Sequence, residues 1–248
     1  MAIQSSTRMC RAGLLAVALL AAGSAPAAPP QDSLAQRVLA CTACHGKEGR
    51  AAPDGYHPRI AGKPALYLFN QLVNFREGRR RYAPMVYLVD HLGDDYLREI
   101  AGHFAAIEAP YPAPAAANDE PAALTLGEKL ALQGDEARKL PACAACHGRA
   151  LTGTAPAIPG LLGLPRDYLN AQLGAWQTGE RRAHAPDCMA QIARRMDAAD
   201  VSAVAAWLAA QPVPVPSGPT ATMPAPPPGA TRWRCGSAPA VQAAGERP

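Results

Sequence analysis

Apolar residues recur along this chain three and four positions apart, and the recurrence comes in two sets. Leu66, Phe69, Leu72 and Val73 fall on one face of a segment that opens at Pro64 and closes at Gly78, and a second segment of equal length runs from Pro165 to Gly179. Proline suits the first turn of a helix and glycine its end. Further along, Leu97, Ile100 and Phe104 keep the 3.6 period behind Asp94, and Val201, Val204 and Leu208 keep it behind Asp197. An acidic residue heading such a run is an N-cap signature. Residues 32–40 and 126–133 carry shorter helical patterns. No strand alternation stands out, so the expected fold class is all-α, with a few short helices in each set.

The two sets are copies. "PRIAGKPALYLFNQLVNFREGRRRYAPM" (58–85) lies over "PGLLGLPRDYLNAQLGAWQTGERRAHAPDCM" (159–189), matching Pro58 with Pro159, Gly62 with Gly163, Tyr67 with Tyr168, Gln71 with Gln172 and Gly78 with Gly179. Self-similarity at this range indicates two tandem domains. The expected divisions are a signal segment over 1–27, a first domain over 28–110, a linker over 111–121, a second domain over 122–211 and a Pro-rich tail over 212–248. The Pro/Ala composition of the linker makes it stiff, and "PVPVPSGPTATMPAPPPGA" after Gln211 reads as polyproline-like chain unsuited to a core.

Composition changes this picture in two ways. The 248 residues are 49% apolar and 18% charged, yet hold only 3 Phe, 3 Trp and 7 Tyr, little aromatic mass for two cores. The beginning of the chain reads as an export signal: Arg8 and Arg11, the apolar run "LLAVALLAA" (14–22), then "SAPAA", with cleavage expected near Ala27 and a periplasmic destination. Its apolar run falls short of the roughly 20 residues of a membrane-spanning helix. Removing Arg8 and Arg11 leaves 22 basic residues against 20 acidic ones, a balance that favours neither nucleic acid nor an anionic membrane surface.

Six cysteines lie beyond the signal: Cys41, Cys44, Cys143, Cys146, Cys188 and Cys235. In an exported chain six cysteines suggest disulfides, but His45 and His147 directly follow two C-x-x-C pairs. C-x-x-C-H is the attachment signature of haem c: two thiols on one helical turn add to the porphyrin vinyl groups, and the adjacent imidazole reaches the iron. With 7 Cys and 6 His in 248 residues, chance supplies about 0.005 such matches per chain, so two carry weight. A four-cysteine zinc site wants its pairs some 15 to 20 residues apart, and a thioredoxin-like pair wants a βαβ pattern; neither is present. Two haems would also explain the missing aromatic core.

Together with "PALYLFNQLVNFREGRR", "APMVYLVDHLGDDYLREIAGHFA" and "MAQIARRMDAADVSAVAAWLA", the paired signature resembles the two-haem class I cytochromes c of the cytochrome c4 type over residues 31–211. The resemblance implies a second axial ligand on each iron. Met85, 40 residues beyond His45, and Met189, 42 beyond His147, occupy equivalent positions in what reads as a loop before the last helix, with Met196 as the fallback in the second copy. His57, His91, His103 and His184 would be the alternative, bis-histidine choice. The resemblance also makes the carbonyls of Pro58 and Pro159 candidate acceptors for His45 and His147. Arg80 and Arg181 align, and read as partners of haem propionates, as a solvated charge run or as a docking patch.

Cys188 has no counterpart in the first copy and admits three readings. It pairs with Cys235, closing a loop of about 48 residues; it replaces Met189 as a thiolate ligand; or it is free. Two functions follow. His/Met coordination fills both axial positions and favours electron passage over chemistry at iron. That describes a periplasmic carrier serving redox protein partners such as a respiratory oxidase, a dehydrogenase or another cytochrome, either soluble or as the electron-transfer subunit of a larger, membrane-associated complex. A cysteine-ligated haem would instead suit an enzyme such as a thiosulfate dehydrogenase.

Overall fold

The computed structural model describes residues 33–116, 118–221 and 233–238. The expected signal over 1–27 lies outside the described residues, as do residues 222–232 and 239–248 of the tail.

In the first half, α1 (Leu34–Arg37) and α2 (Leu39–His45) lead through a 3-10 turn (Lys47–Gly49) to α3 (Ala65–Arg76), α4 (Ala83–Val89) and α5 (Asp94–Ala105). The second half repeats the order with α6 (Pro121–Leu132), α7 (Cys143–His147), α8 (Arg166–Thr178), α9 (Cys188–Ala193) and α10 (Ala198–Ala210). One antiparallel ribbon departs from the all-helical expectation: β1 (Gly153–Thr154) pairs with β2 (Ile158–Pro159), with Gly153 opposite Pro159.

Local chemistry explains most helix boundaries. Pro64 and Pro165 stand one position earlier than expected, as the N-caps of α3 and α8. Gly179 closes α8 in the left-handed region, at φ 81°, where a side chain is strained. Asp197 caps α10 through a reciprocal capping box with Asp200. Asp94 is not its equivalent: Gly93 holds the cap position of α5, without a side-chain bond, and Asp94 is the first helical residue. There it favours the helix N-terminus electrostatically.

The two cores differ in extent. In the second half Leu130, Leu140, Leu162, Tyr168, Leu169, Val204 and Leu208 form one continuous cluster. It is closed by the crossing of α6 over α10, where Gly127 lies against the backbone of Ala203. The first half divides its core between Val38, Leu68, Ile100 and Phe104 on one side and Val73, Phe75, Val89 and Leu97 on the other.

Two expectations need amendment. The middle helix α3 buries Leu68, Asn70, Val73, Asn74 and Phe75, so it is covered on more than the single apolar face that its periodicity suggests. The tail is not loose chain throughout: Thr220 pairs with the ribbon through Thr220 N–H to Gly153 O (3.0 Å) and Ala155 N–H to Thr220 O (2.8 Å).

Candidate haem sites and the contact between the halves

Each C-x-x-C-H occupies a short helix that the histidine ends. Gly46 follows α2 at φ 75° and Gly148 follows α7 at φ 84°; a Cβ on Gly46 would overlap the carbonyl oxygen of Ala51. The tight exit turns each imidazole inward, leaving His45 9% and His147 7% exposed. His45 Nδ1–H donates to Pro58 O at 2.8 Å, and His147 Nδ1–H donates to Pro159 O at 2.7 Å. Burial outweighs these bonds and lowers the pKa of both rings. A neutral imidazole whose Nδ1 proton is engaged presents a free lone pair at Nε2, the state an iron ligand needs.

None of the four signature cysteines is drawn into a disulfide, and burial pushes the Cys143 thiol up to about 11 and raises those of Cys41 and Cys146. Beside Cys143 lies a small, partly open apolar cavity, lined by Leu130, Leu140, Ile192, Met196 and Val204. Paired thiols, a fixed neutral imidazole and an apolar wall fit a covalently held porphyrin.

The methionines lie on helices rather than in loops. Met85 is in the first turn of α4 and packs against the cluster of Val73, Phe75, Val89 and Leu97. Met189 is the second residue of α9, whose N-cap Asp187 accepts from Ala190 N–H at 3.0 Å. Met196 borders the cavity just before the cap of α10. It stands seven residues beyond Met189, as Leu92 stands seven beyond Met85, and Leu92 is likewise packed on its core. The other histidines have partners of their own. His57 meets Asp54 at 2.6 Å, holding that carboxyl down to about 2, and His91 meets Asp90 at 2.9 Å. His103 is edge-on to Phe104, and His184 accepts from Arg79 at 3.1 Å.

Arg80 and Arg181 meet where the halves touch, which removes the solvated-run reading. Their backbones form an antiparallel bridge, extended by Arg182 N–H to Arg79 O at 2.7 Å. Each guanidinium then reaches both repeats. Arg80 donates to Gln71 (3.3 Å), Gln172 (2.7 Å) and Tyr168 (3.2 Å), while Arg181 donates to Gln172 (2.8 Å), Gln71 (2.9 Å) and Tyr67 (3.5 Å). Arg80 stacks on Phe75 and Arg181 on Trp176, at 4.6 and 3.8 Å from the ring centres. Burial and the neighbouring Arg80 lower the pKa of Arg181. Among the described residues no carboxylate is bonded to either group. The alignment of the repeats pairs the two arginines but gives no sign that they face one another.

Lys63 carries no signal in the sequence. It leaves the first half fully buried, and its ammonium donates to Gly160 O at 2.8 Å, one residue past the carbonyl that receives His147. Burial, then Arg59, lowers its pKa to about 7. Cys188 is bonded to Cys235, with Cα atoms 5.4 Å apart, which takes its sulfur out of contention as an iron ligand.

This is the architecture of a tandem c-type electron-transfer protein. No family model matches the chain. It is 37% identical over 211 residues to a thiosulfate dehydrogenase electron acceptor from Thiomonas intermedia (strain K12), covering 81% of this chain and 91% of the relative. Among solved structures, the thiosulfate dehydrogenase TsdBA from Marichromatium purpuratum aligns with a TM-score of 0.64 at 33% identity, over 74% of this chain and 38% of that one. Reduced cytochrome c4 from Pseudomonas stutzeri aligns with a TM-score of 0.62 at 27% identity, over 71% and 95%. The chain belongs to the c4-type family of two-haem cytochromes c, and is an electron carrier with two covalently attached haems.

Proposed function

We propose that this chain is a periplasmic electron acceptor for a thiosulfate dehydrogenase. The observation that carries the reading is the likeness, over 81% of this chain and 91% of the relative, to a protein named for that role. The export signal expected over 1–27 supports the compartment. Joining two thiosulfates through a sulfur–sulfur bond releases two electrons, and two one-electron centres in one chain can take both. When bound, each haem supplies a ferric/ferrous couple.

The protein's part is to hold and tune that couple. Cys41 and Cys44 form the thioethers of the first site and Cys143 and Cys146 those of the second. His45 and His147 would ligate the two irons through Nε2, oriented by the carbonyls of Pro58 and Pro159. Met85 and Met189 would supply the second ligands; a soft thioether favours ferrous iron and would leave no position for substrate. Arg80 and Arg181 are two cations brought together where the halves meet without a carboxylate partner among the described residues, and propionates from both haems would supply the missing charge. The division into domains over 28–110 and 122–211 with a linker over 111–121 follows from one such site in each repeat.

Rapid mixing tests the proposal. The ferric holoprotein stays ferric with thiosulfate alone and takes up two electrons per chain when catalytic thiosulfate dehydrogenase is added. Steady thiosulfate oxidation by the chain alone would make it an enzyme, and no reduction with the dehydrogenase present would exclude this donor.

A further inference from the structure

The two methionine helices are held in different ways. In the first half α4 rests on large apolar side chains, with Met85 packed beside Val73, Phe75 and Leu97. In the second half the buried residues of α9 are the small Cys188, Ala190 and Ala193; Ile192 packs on the core and Gln177 bonds Ala193 O at 3.0 Å, a thinner hold than that of α4.

The far end of the chain adds to this hold. Cys235 is bonded to Cys188, at the N-terminus of α9. Trp233 lies under the guanidinium of Arg195, 5.2 Å from its ring centre and two residues beyond the end of α9. Gly236 N–H donates to Pro186 O at 3.0 Å in the turn that enters the helix. That approach has no room for a side chain: a Cβ on Gly236 would overlap the carbonyl of Ala185 and lie 2.7 Å from that of His184. Ser237 O accepts from Asn70 Nδ2 at 3.0 Å, and Asn70 is a buried residue of α3 in the first half. Ala238 is 6% exposed.

We infer that residues 233–238 are a clasp that positions Met189 on the second haem by gripping α9 at both ends and fastening it to the first half through Asn70. The inference rests on the reading of Met189 as the second axial ligand. Among the described residues α4 has no such clasp, and it rests on its own core. The six residues are positioning groups, and their effect passes through the helix.

The test compares cyanide capture by the two ferric haems in the full-length holoprotein. Cyanide binds only when a methionine leaves the iron, so its rate reads the Met-off population of each site. Replacing both cysteines, Cys188→Ser with Cys235→Ser, leaves no lone thiol to compete for iron; Gly236→Val disrupts the clasp with both cysteines retained. The clasp predicts that each variant speeds capture at the second haem by about five-fold or more, the size of change that loss of a modest tertiary contact makes in a local equilibrium. Capture at the first haem and the far-ultraviolet dichroism stay as they are. Equal, unchanged rates at both haems in Gly236→Val overturn the clasp, as does an equal rise at both. Met189→Ala and Met85→Ala each remove half of the thioether-to-ferric-iron charge-transfer band at the red end of the visible spectrum. An undiminished band in Met189→Ala removes the ligand reading itself, whatever the clasp variants do.

Discussion

The crossing of α6 over α10 offers a test in which two identical substitutions have opposite signs. Gly127 sits in α6 where its Cα faces α10; a Cβ there would overlap the carbonyl oxygen of Ala203 and lie 2.7 Å from Trp207 Cβ. Neither neighbour is the free end of a flexible chain, so the helices must separate, and overpacking of this kind costs about 1–3 kcal/mol. Alanine's better helix propensity returns about 1 kcal/mol. Gly127→Ala is therefore expected to destabilise the second half by up to about 2 kcal/mol, with roughly 4–8 °C of melting temperature lost per kcal/mol for a unit of this size. Gly102 is also mid-helix, in α5, but is exposed, and a Cβ there would meet nothing within 4 Å. Gly102→Ala keeps the propensity gain and should raise stability by about 0.5–1 kcal/mol. Guanidinium and thermal unfolding of the holoprotein, followed by far-ultraviolet dichroism and the Soret band, read both variants. Equal stabilisation by both substitutions would refute the close-approach argument.

Two further outcomes follow from the buried groups. Lys63, with a pKa of about 7 in the folded chain against an ordinary value near 10.4, binds fewer protons folded than unfolded between those limits, so its contribution to stability rises with pH across about pH 7 to 10. Lys63→Met should flatten that rise, measured as melting temperatures at pH 6.5 and 9.5, and an unchanged pH slope would show that the ammonium is not desolvated. Replacing Cys41 and Cys44 together with serine should leave the first half largely unfolded, because its core is divided into two clusters; an undiminished helical dichroism would show that it folds without the attached porphyrin.

What the sequence disclosed was local or repeated. The C-x-x-C-H signatures, the middle and last helices and the alignment of Met85 with Met189 all depend on spacing within one repeat. The Cys188–Cys235 bond was open to sequence reasoning because two leftover thiols in an exported chain have few alternatives. The helices carrying the methionines were hidden by their length: six and seven residues hold too few turns for a period to declare itself. The contact between the halves was hidden for a different reason. Asn70, Gln71 and Asn74 are polar residues on α3 that sequence assigns to water, but Gln71 meets Arg181 of the opposite repeat, Asn70 meets Ser237 of the tail and Asn74 meets Arg79. Lys63 is hidden likewise, since a lysine is rarely buried without a partner, and its partner is a carbonyl 97 residues away.

The central claim is that one chain carries two haems, each joined through a pair of cysteines. Denaturing intact-mass measurement of the exported, matured protein, combined with a pyridine haemochrome titration, tests it most directly. The account predicts the chain mass plus two haems, resistant to acid-acetone extraction, with a c-type spectrum at two haems per chain. A colourless chain, a single haem, or haem that extracts freely would contradict it.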